Sequence, residues 1–229
     1  MLEPERFACI IVGSLGGQSS LPGGYHGRYP AFHKDLAINL RNGLRQETRA
    51  LHDRLDRELG APDFNEADSY RRFLEIQLAA RAPLERWARA ALPDTLRPPE
   101  LCALLQADLA DLATGPDGPS PTASQAVERE QIIAFTLPEG ADPRGAAWAI
   151  GGSAMGGRMM LHSLRGSGRD DLPSRFLASE DALAFWHALK PRLEIECTAG
   201  ELRSAVAAAR AVFLHFLHAA SRTVPEPAE

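Results

Sequence analysis

The chain is predicted to be all-α, on two observations. Apolar residues recur at helical spacing through most of the sequence, and no pair of alternating strands joined by turn chemistry occurs in it. The stretch DLAINLRNGLRQETRALHDRLDREL sets Leu36, Leu40, Leu44, Leu51, Leu55 and Leu59 at steps of four and seven, which makes one buried stripe on a first helix of about 20 residues. Asn65-Glu66-Ala67-Asp68 opens a second helix through SYRRFLEIQLAARAPLERWARAAL, where Pro83 either kinks it or divides it in two. Pro98-Pro99 then starts the amphipathic PPELCALLQADLADLA, and TGPDGPSP stops it. The segment TASQAVEREQIIAFTL fits helix and strand about equally, and LPEGADP breaks whatever it forms. A glycine-bearing helix is expected over Arg144–Leu164, then the loop GSGRDDLPSRF, a helix from Ser179 to about Leu189, and a last one from Ala199 to about Ala220.

Ahead of these helices, residues 1–34 are rich in Gly, Ser, Pro and Tyr and lack helical periodicity, so they are read as a poorly structured extension. Its IIVGSLGG run suggests a phosphate-cradling loop, but it has neither a GKS/GKT ending, nor GxGxxG, nor an amphipathic helix directly after it. The expected organisation is therefore an extension over 1–34, one helical domain over 35–221 and a tail over 222–229. No internal repeat of 30 to 45 residues is present.

The 229 residues carry 30 acidic and 25 basic side chains, a formal charge of −5, with no basic block. That argues against a nucleic-acid or anionic-membrane partner. Cys9, Cys102 and Cys197 form no Cys-x-x-Cys pair, so neither a disulfide framework nor a thiolate zinc site is expected, and a reducing cytoplasm suits the chain. The start, MLEPERFACIIVG, has only six consecutive apolar residues, too few for a signal peptide or a membrane span.

Two stretches carry chemistry. On the first helix, His52 follows Arg45 by seven residues and Thr48 by four, and Asp56 follows His52 by four, so all four lie on or near one face. A neutral imidazole can bind iron through one ring nitrogen while a hydroxyl or carboxylate one turn away holds the other. Arg45, two turns off, lies roughly 10 Å along the axis, about the reach from a haem iron to its propionates. A guanidinium there would neutralise a carboxylate, and Arg41 and Arg49 compete for the same task.

The second stretch is GGSAMGGRMM, residues 151–160. Each glycine inside a helix costs about 1 kcal/mol relative to alanine, so something must approach the backbone too closely for side chains. A flat porphyrin above Gly152, Gly156 and Gly157 accounts for them, and close helix–helix packing is the competing explanation. Met155, Met159 and Met160 suit a porphyrin wall or any core. His215 and His218, three apart, are read as packing histidines because no carboxylate or cysteine accompanies them.

LRQETRALHDRLD followed about 100 residues later by GGSAMGGRMM resembles the biliverdin-producing haem oxygenases, particularly the bacterial branch found beside bacteriophytochromes. The likeness spans about residues 36–220. It implies a multi-helix bundle in which haem b lies between a proximal helix and a kinked, glycine-rich distal helix. By this resemblance His52 is the axial iron ligand, Thr48 and Asp56 are its flanking hydrogen-bonding positions, and Arg45 binds a propionate. Gly152, Gly156 and Gly157 are the distal glycines, with Met155 beside them. Ser153 stands where many members carry an aspartate that orders a distal water. The family's later basic positions match His187, Lys190 or Arg192 without singling one out. The implied reaction consumes haem and O2 with electrons from a separate reductase, and yields biliverdin, CO and ferrous iron; a bacteriophytochrome is the implied recipient of the bilin. Two other readings accompany it: a haem carrier on the same scaffold, suggested by Ser153, and a two-metal carboxylate oxidase, which needs several acids and histidines facing one interior.

Overall fold

The computed structural model describes residues 38–59, 62–114 and 134–223. Six α-helices make up most of these residues: α1 (Leu40–Leu59), α2 (Ala67–Ala91), α3 (Cys102–Thr114), α4 (Pro143–Gly166), α5 (Glu180–Leu193) and α6 (Ala199–Thr223). The all-α expectation is met, with one small exception. Ile38–Asn39 (β1) pairs antiparallel with Glu196–Cys197 (β2), Ile38 opposite Cys197 and Asn39 opposite Glu196. This pairing makes the first helix begin later than its leucine stripe suggests. The Asn39 side-chain oxygen accepts from the Asn42 N–H at 3.1 Å, a helix-starting cap, and the Leu40 N–H donates to the Ile195 carbonyl at 2.9 Å.

Each further boundary has a local chemical cause. Pro83 sits inside α2 without dividing it. Because proline has no N–H, the hydrogen-bond ladder loses a donor there. A ring nitrogen of His215, from α6, lies 3.0 Å from the nearby Ala80 carbonyl and donates to it. The third helix begins at Cys102, four residues after Pro98, because the prolines favour extended backbone and the Glu85 carboxylate receives the first N–H groups, Leu101 at 2.7 Å and Cys102 at 3.4 Å. Asp142 caps α4 through the Arg144 N–H at 2.9 Å, with Pro143 in the first turn. Ser179 caps α5, and Thr198 with Glu201 forms a reciprocal capping box on α6. The last helix runs to Thr223, two residues beyond the expected end of the domain. The extension over 1–34 and most of TASQAVEREQIIAFTL lie outside the described residues. The end of the latter, residues 134–137, is neither helix nor strand and buries Phe135 against Trp87 and His215.

Helix α6 is the centre of the fold, packing on α1, α2 and α4, while α4 also carries α5 and α2 carries α3. Its inner face is Ala205, Ala208, Ala209, Val212, Phe213 and Phe216, all at most 1% exposed. The alanines let neighbouring backbones come close, and the aromatic residues fill the volume farther along. This helix is long and apolar enough to cross a membrane, but half of the apolar stretch is buried inside the protein. Burial on three sides accounts for its apolarity. From the first helix, Leu40, Leu44 and Leu55 enter the core and Leu51 and Leu59 lie at its margin; Leu36 is outside the described residues.

Candidate functional site

On α1, the Nδ1 atom of His52 lies 3.1 Å from Asp56 Oδ2, and the two side chains are only 12% and 11% exposed. The contact is within ion-pair distance but is not aligned as a hydrogen bond to that oxygen. Their four-residue spacing on a regular helix brings them together, as the sequence suggests. The imidazole meets the Phe213 ring edge-on at 6.1 Å, and Phe213 meets Trp148 of α4 edge-on at 6.2 Å. One aromatic ring of α6 thus links the histidine helix to the glycine helix.

Thr48 does not join this group. It is 1% exposed, and its hydroxyl donates to the Leu44 carbonyl at 2.8 Å, the bond that a threonine inside a helix makes to the preceding turn. Its hydroxyl proton is thus committed to Leu44, which leaves only the acceptor lone pairs for any further partner. Arg45 is exposed, two turns from His52. Of its competitors, Arg41 pairs with Glu194 at 3.1 Å and stacks over Trp186, and Arg49 lies 3.8 Å from Asp53. On α5, His187 and Arg192 are exposed and Lys190 lies 3.7 Å from Glu194.

The glycines of α4 do different work at different positions. An alanine Cβ at Gly145 would sit 1.8 Å from the Ala205 carbonyl oxygen, so α4 and α6 touch backbone to backbone. At Gly151 a Cβ would meet Phe185 of α5 at 2.9 Å. Helix packing thus explains these two. Gly152 and Gly156, one turn apart, are both buried. Gly157 is turned toward the 172–178 loop, where a Cβ would find Leu177 at an ordinary 3.7 Å. Packing there does not demand a glycine. Met155 packs at the edge of the core and Met160 is buried, while Met159 is 44% exposed.

Ser153 is held by two short hydrogen bonds. Its hydroxyl donates to the Ile150 carbonyl at 2.7 Å and accepts from Arg81 Nη2 of α2 at 2.7 Å. Arg81 is 3% exposed, donates Nε–H to Gln77 at 3.2 Å, and lies over the Phe176 and Phe216 rings. Burial lowers the guanidinium pKa and the nearby Glu85 charge opposes that shift; an arginine stays protonated under both influences. Sequence reasoning missed Arg81, although a signal existed. Gln77, Arg81 and Glu85 are four residues apart on the stripe that also carries Phe73, Leu74, Ala80, Leu84 and Ala88, and all three polar side chains are buried. Cys102, beside Glu85, has its thiol pKa pushed up to about 12 by burial and by its contact with that carboxylate, so it is no ready thiolate.

An open groove of about 440 Å³ lies away from these residues, between α3 and the 171–178 loop, lined by Asp111, Asp171, Pro173, Ser174, Arg175 and Ala178. A void of about 10 Å³, room for one water, lies against Arg81, Gly151, Ser153 and Phe185. Among the described residues, no group of three or more histidine, cysteine or acidic side chains is placed to hold a metal ion. A two-metal carboxylate centre therefore finds no donor set there. A haem asks less of the protein: one axial nitrogen, an oriented imidazole and a close apolar wall. His52 beside Asp56 suits the first two, and the buried Gly152 and Gly156 suit the third.

Fold and site together define an all-α protein with a nearly buried histidine–aspartate pair and a glycine-rich helix joined through one aromatic residue. No protein-family model matches the chain, and no curated protein matches it.

Proposed function

We propose that the protein is a haem oxygenase, opening haem to biliverdin with release of CO and ferrous iron. The observation that carries this reading is the His52–Asp56 pair, nearly buried on α1 with the imidazole against Phe213. When bound, haem is both cofactor and substrate: its iron activates O2 and its own ring is the part oxidised. His52 would hold the iron through Nε2, since Asp56 lies at Nδ1 and favours the tautomer that carries its proton there. Phe213 restricts rotation of the imidazole and excludes water from its edge. Arg45, exposed two turns away, would pair with a propionate. Gly152 and Gly156 would leave room beside α4 for a flat ligand, with Met155 as an apolar neighbour. Electrons come from a separate reductase, and a bacteriophytochrome in the same cytoplasm is the proposed recipient of the bilin.

A haem carrier is the second reading, and Ser153 favours it. Its hydroxyl proton is committed to Ile150, and Arg81 occupies an acceptor position, so little remains to order a water. Titrating the purified protein with hemin, then adding reductant under air, separates the readings. A one-to-one Soret complex that decays into a broad bilin band is the expected result. A Soret complex that survives reductant and air identifies the carrier, and absence of any Soret complex overturns both.

A further inference from the structure

The buried face of α2 carries Gln77, Arg81 and Glu85, which are 2%, 3% and 8% exposed. Burying a polar group is costly unless its hydrogen bonds are met, and burying a charge costs more. Glu85 is accounted for by the start of α3 and Gln77 by Arg81. For Arg81 the opposing charge is Glu85, one turn along α2 and already engaged at the start of α3. No carboxylate among the described residues lies within ion-pair distance of its guanidinium, and two of its neighbours are the faces of Phe176 and Phe216. A scaffold role needs no charge there, because an apolar side chain of the same volume fills such a site without the desolvation cost. The charge lies instead directly behind the Ile150–Ser153 turn of α4, beside the one-water void, where α4 leads into Gly156.

We infer that Arg81 is a positioning residue of the haem site, clamping the Ser153 hydroxyl and setting a permanent positive charge behind the glycine-lined face, so that anionic ligands are favoured on that face. The inference rests on the haem reading proposed above. Through Ser153, Arg81 fixes which way the hydroxyl proton points.

The test uses the full chain loaded with hemin, titrated in its ferric form with sodium fluoride and with imidazole. Arg81→Gln is expected to weaken fluoride about tenfold, the effect of removing one buried charge, and to leave imidazole within about threefold. Arg81→Lys is expected to restore most of the fluoride affinity. Arg81→Met, which leaves no polar group to bury, takes the place of Arg81→Gln if that variant does not fold. Equal weakening of both ligands, or no change in either, overturns the inference while the haem reading stands. A wild-type protein that forms no haem complex overturns the haem reading and this inference with it, and that result is seen before any Arg81 variant is made.

Discussion

Replacing Gly145, Gly151 and Gly157 by alanine one at a time yields a graded test of what surrounds the glycine helix. At Gly145 the new Cβ would stand 1.8 Å from the Ala205 carbonyl oxygen, where separations below 3.0 Å are essentially never adopted. The Cβ position is fixed by the α4 backbone and the oxygen belongs to the α6 backbone, so no rotamer change relieves the overlap; α4 and α6 must separate by about 1 Å or more along their contact. Overpacking of this kind costs about 1–3 kcal/mol or more, and alanine's better helix propensity returns at most about 1 kcal/mol. The upper end of that range, about 3 kcal/mol, is expected because α6 is the helix on which α1 and α2 also pack. With a urea slope of about 2 kcal/mol/M, the unfolding midpoint falls by about 1.5 M, read by far-UV circular dichroism. At Gly151 the neighbour at 2.9 Å is the tip of the Phe185 ring, which can turn aside, and the midpoint is expected to move by about 0.5 M or less. At Gly157 the nearest atom is 3.7 Å away, so alanine is expected to stabilise by up to about 1 kcal/mol. A Gly145→Ala protein as stable as wild type, or a Gly157→Ala protein less stable than Gly145→Ala, refutes this account of the helix.

His52→Ala is expected to weaken hemin binding at least about tenfold and to change the ferric spectrum; an unchanged spectrum with full bilin formation removes His52 from the site. Asp108, 0% exposed, receives the Arg175 and Phe176 N–H groups at 3.1 and 2.9 Å and so holds the loop facing Gly157. Asp108→Ala leaves buried donors unmet and is expected to cost about 3 kcal/mol in urea unfolding; a cost below about 1 kcal/mol contradicts the role. His215 has its pKa lowered from 6.5, first by burial, with the Ala80 carbonyl opposing and His218 adding to the shift. The unfolded chain therefore takes the proton first: the neutral ring's contribution is complete above about pH 6.5 and is lost as pH falls below it toward the folded-state pKa. His215→Gln keeps a donor for Ala80 and is expected to flatten that part of the stability profile, as measured by urea midpoints from pH 8 to 5. Parallel profiles for the two proteins would show that other groups set the slope.

The helices were legible because helix formation and capping are local. The spacing of Leu40, Leu44 and Leu55, the caps at Asp142 and Ser179, and the Thr198–Glu201 pair lie within a few residues of what they determine. The same locality placed Asp56 beside His52. At Thr48 a helix also offers the hydroxyl a nearer acceptor, Leu44, which periodicity does not reveal. Locality also left open whether Pro83 divides α2. A residue far along the chain, His215, reaches the ladder there.

By itself, then, the sequence determined the all-α class, the starts of α4, α5 and α6 and the histidine–aspartate pair, since each depends on neighbours within about two turns. Tertiary structure alone decided which glycine has which neighbour. Gly145 meets a backbone 60 residues away and Gly151 a ring on α5, while Gly157 meets an open loop. It alone also delivered Arg81 to Ser153 across 72 residues, because packing α2 and α4 against a common α6 makes that bond, and no spacing along the chain encodes where two helices cross.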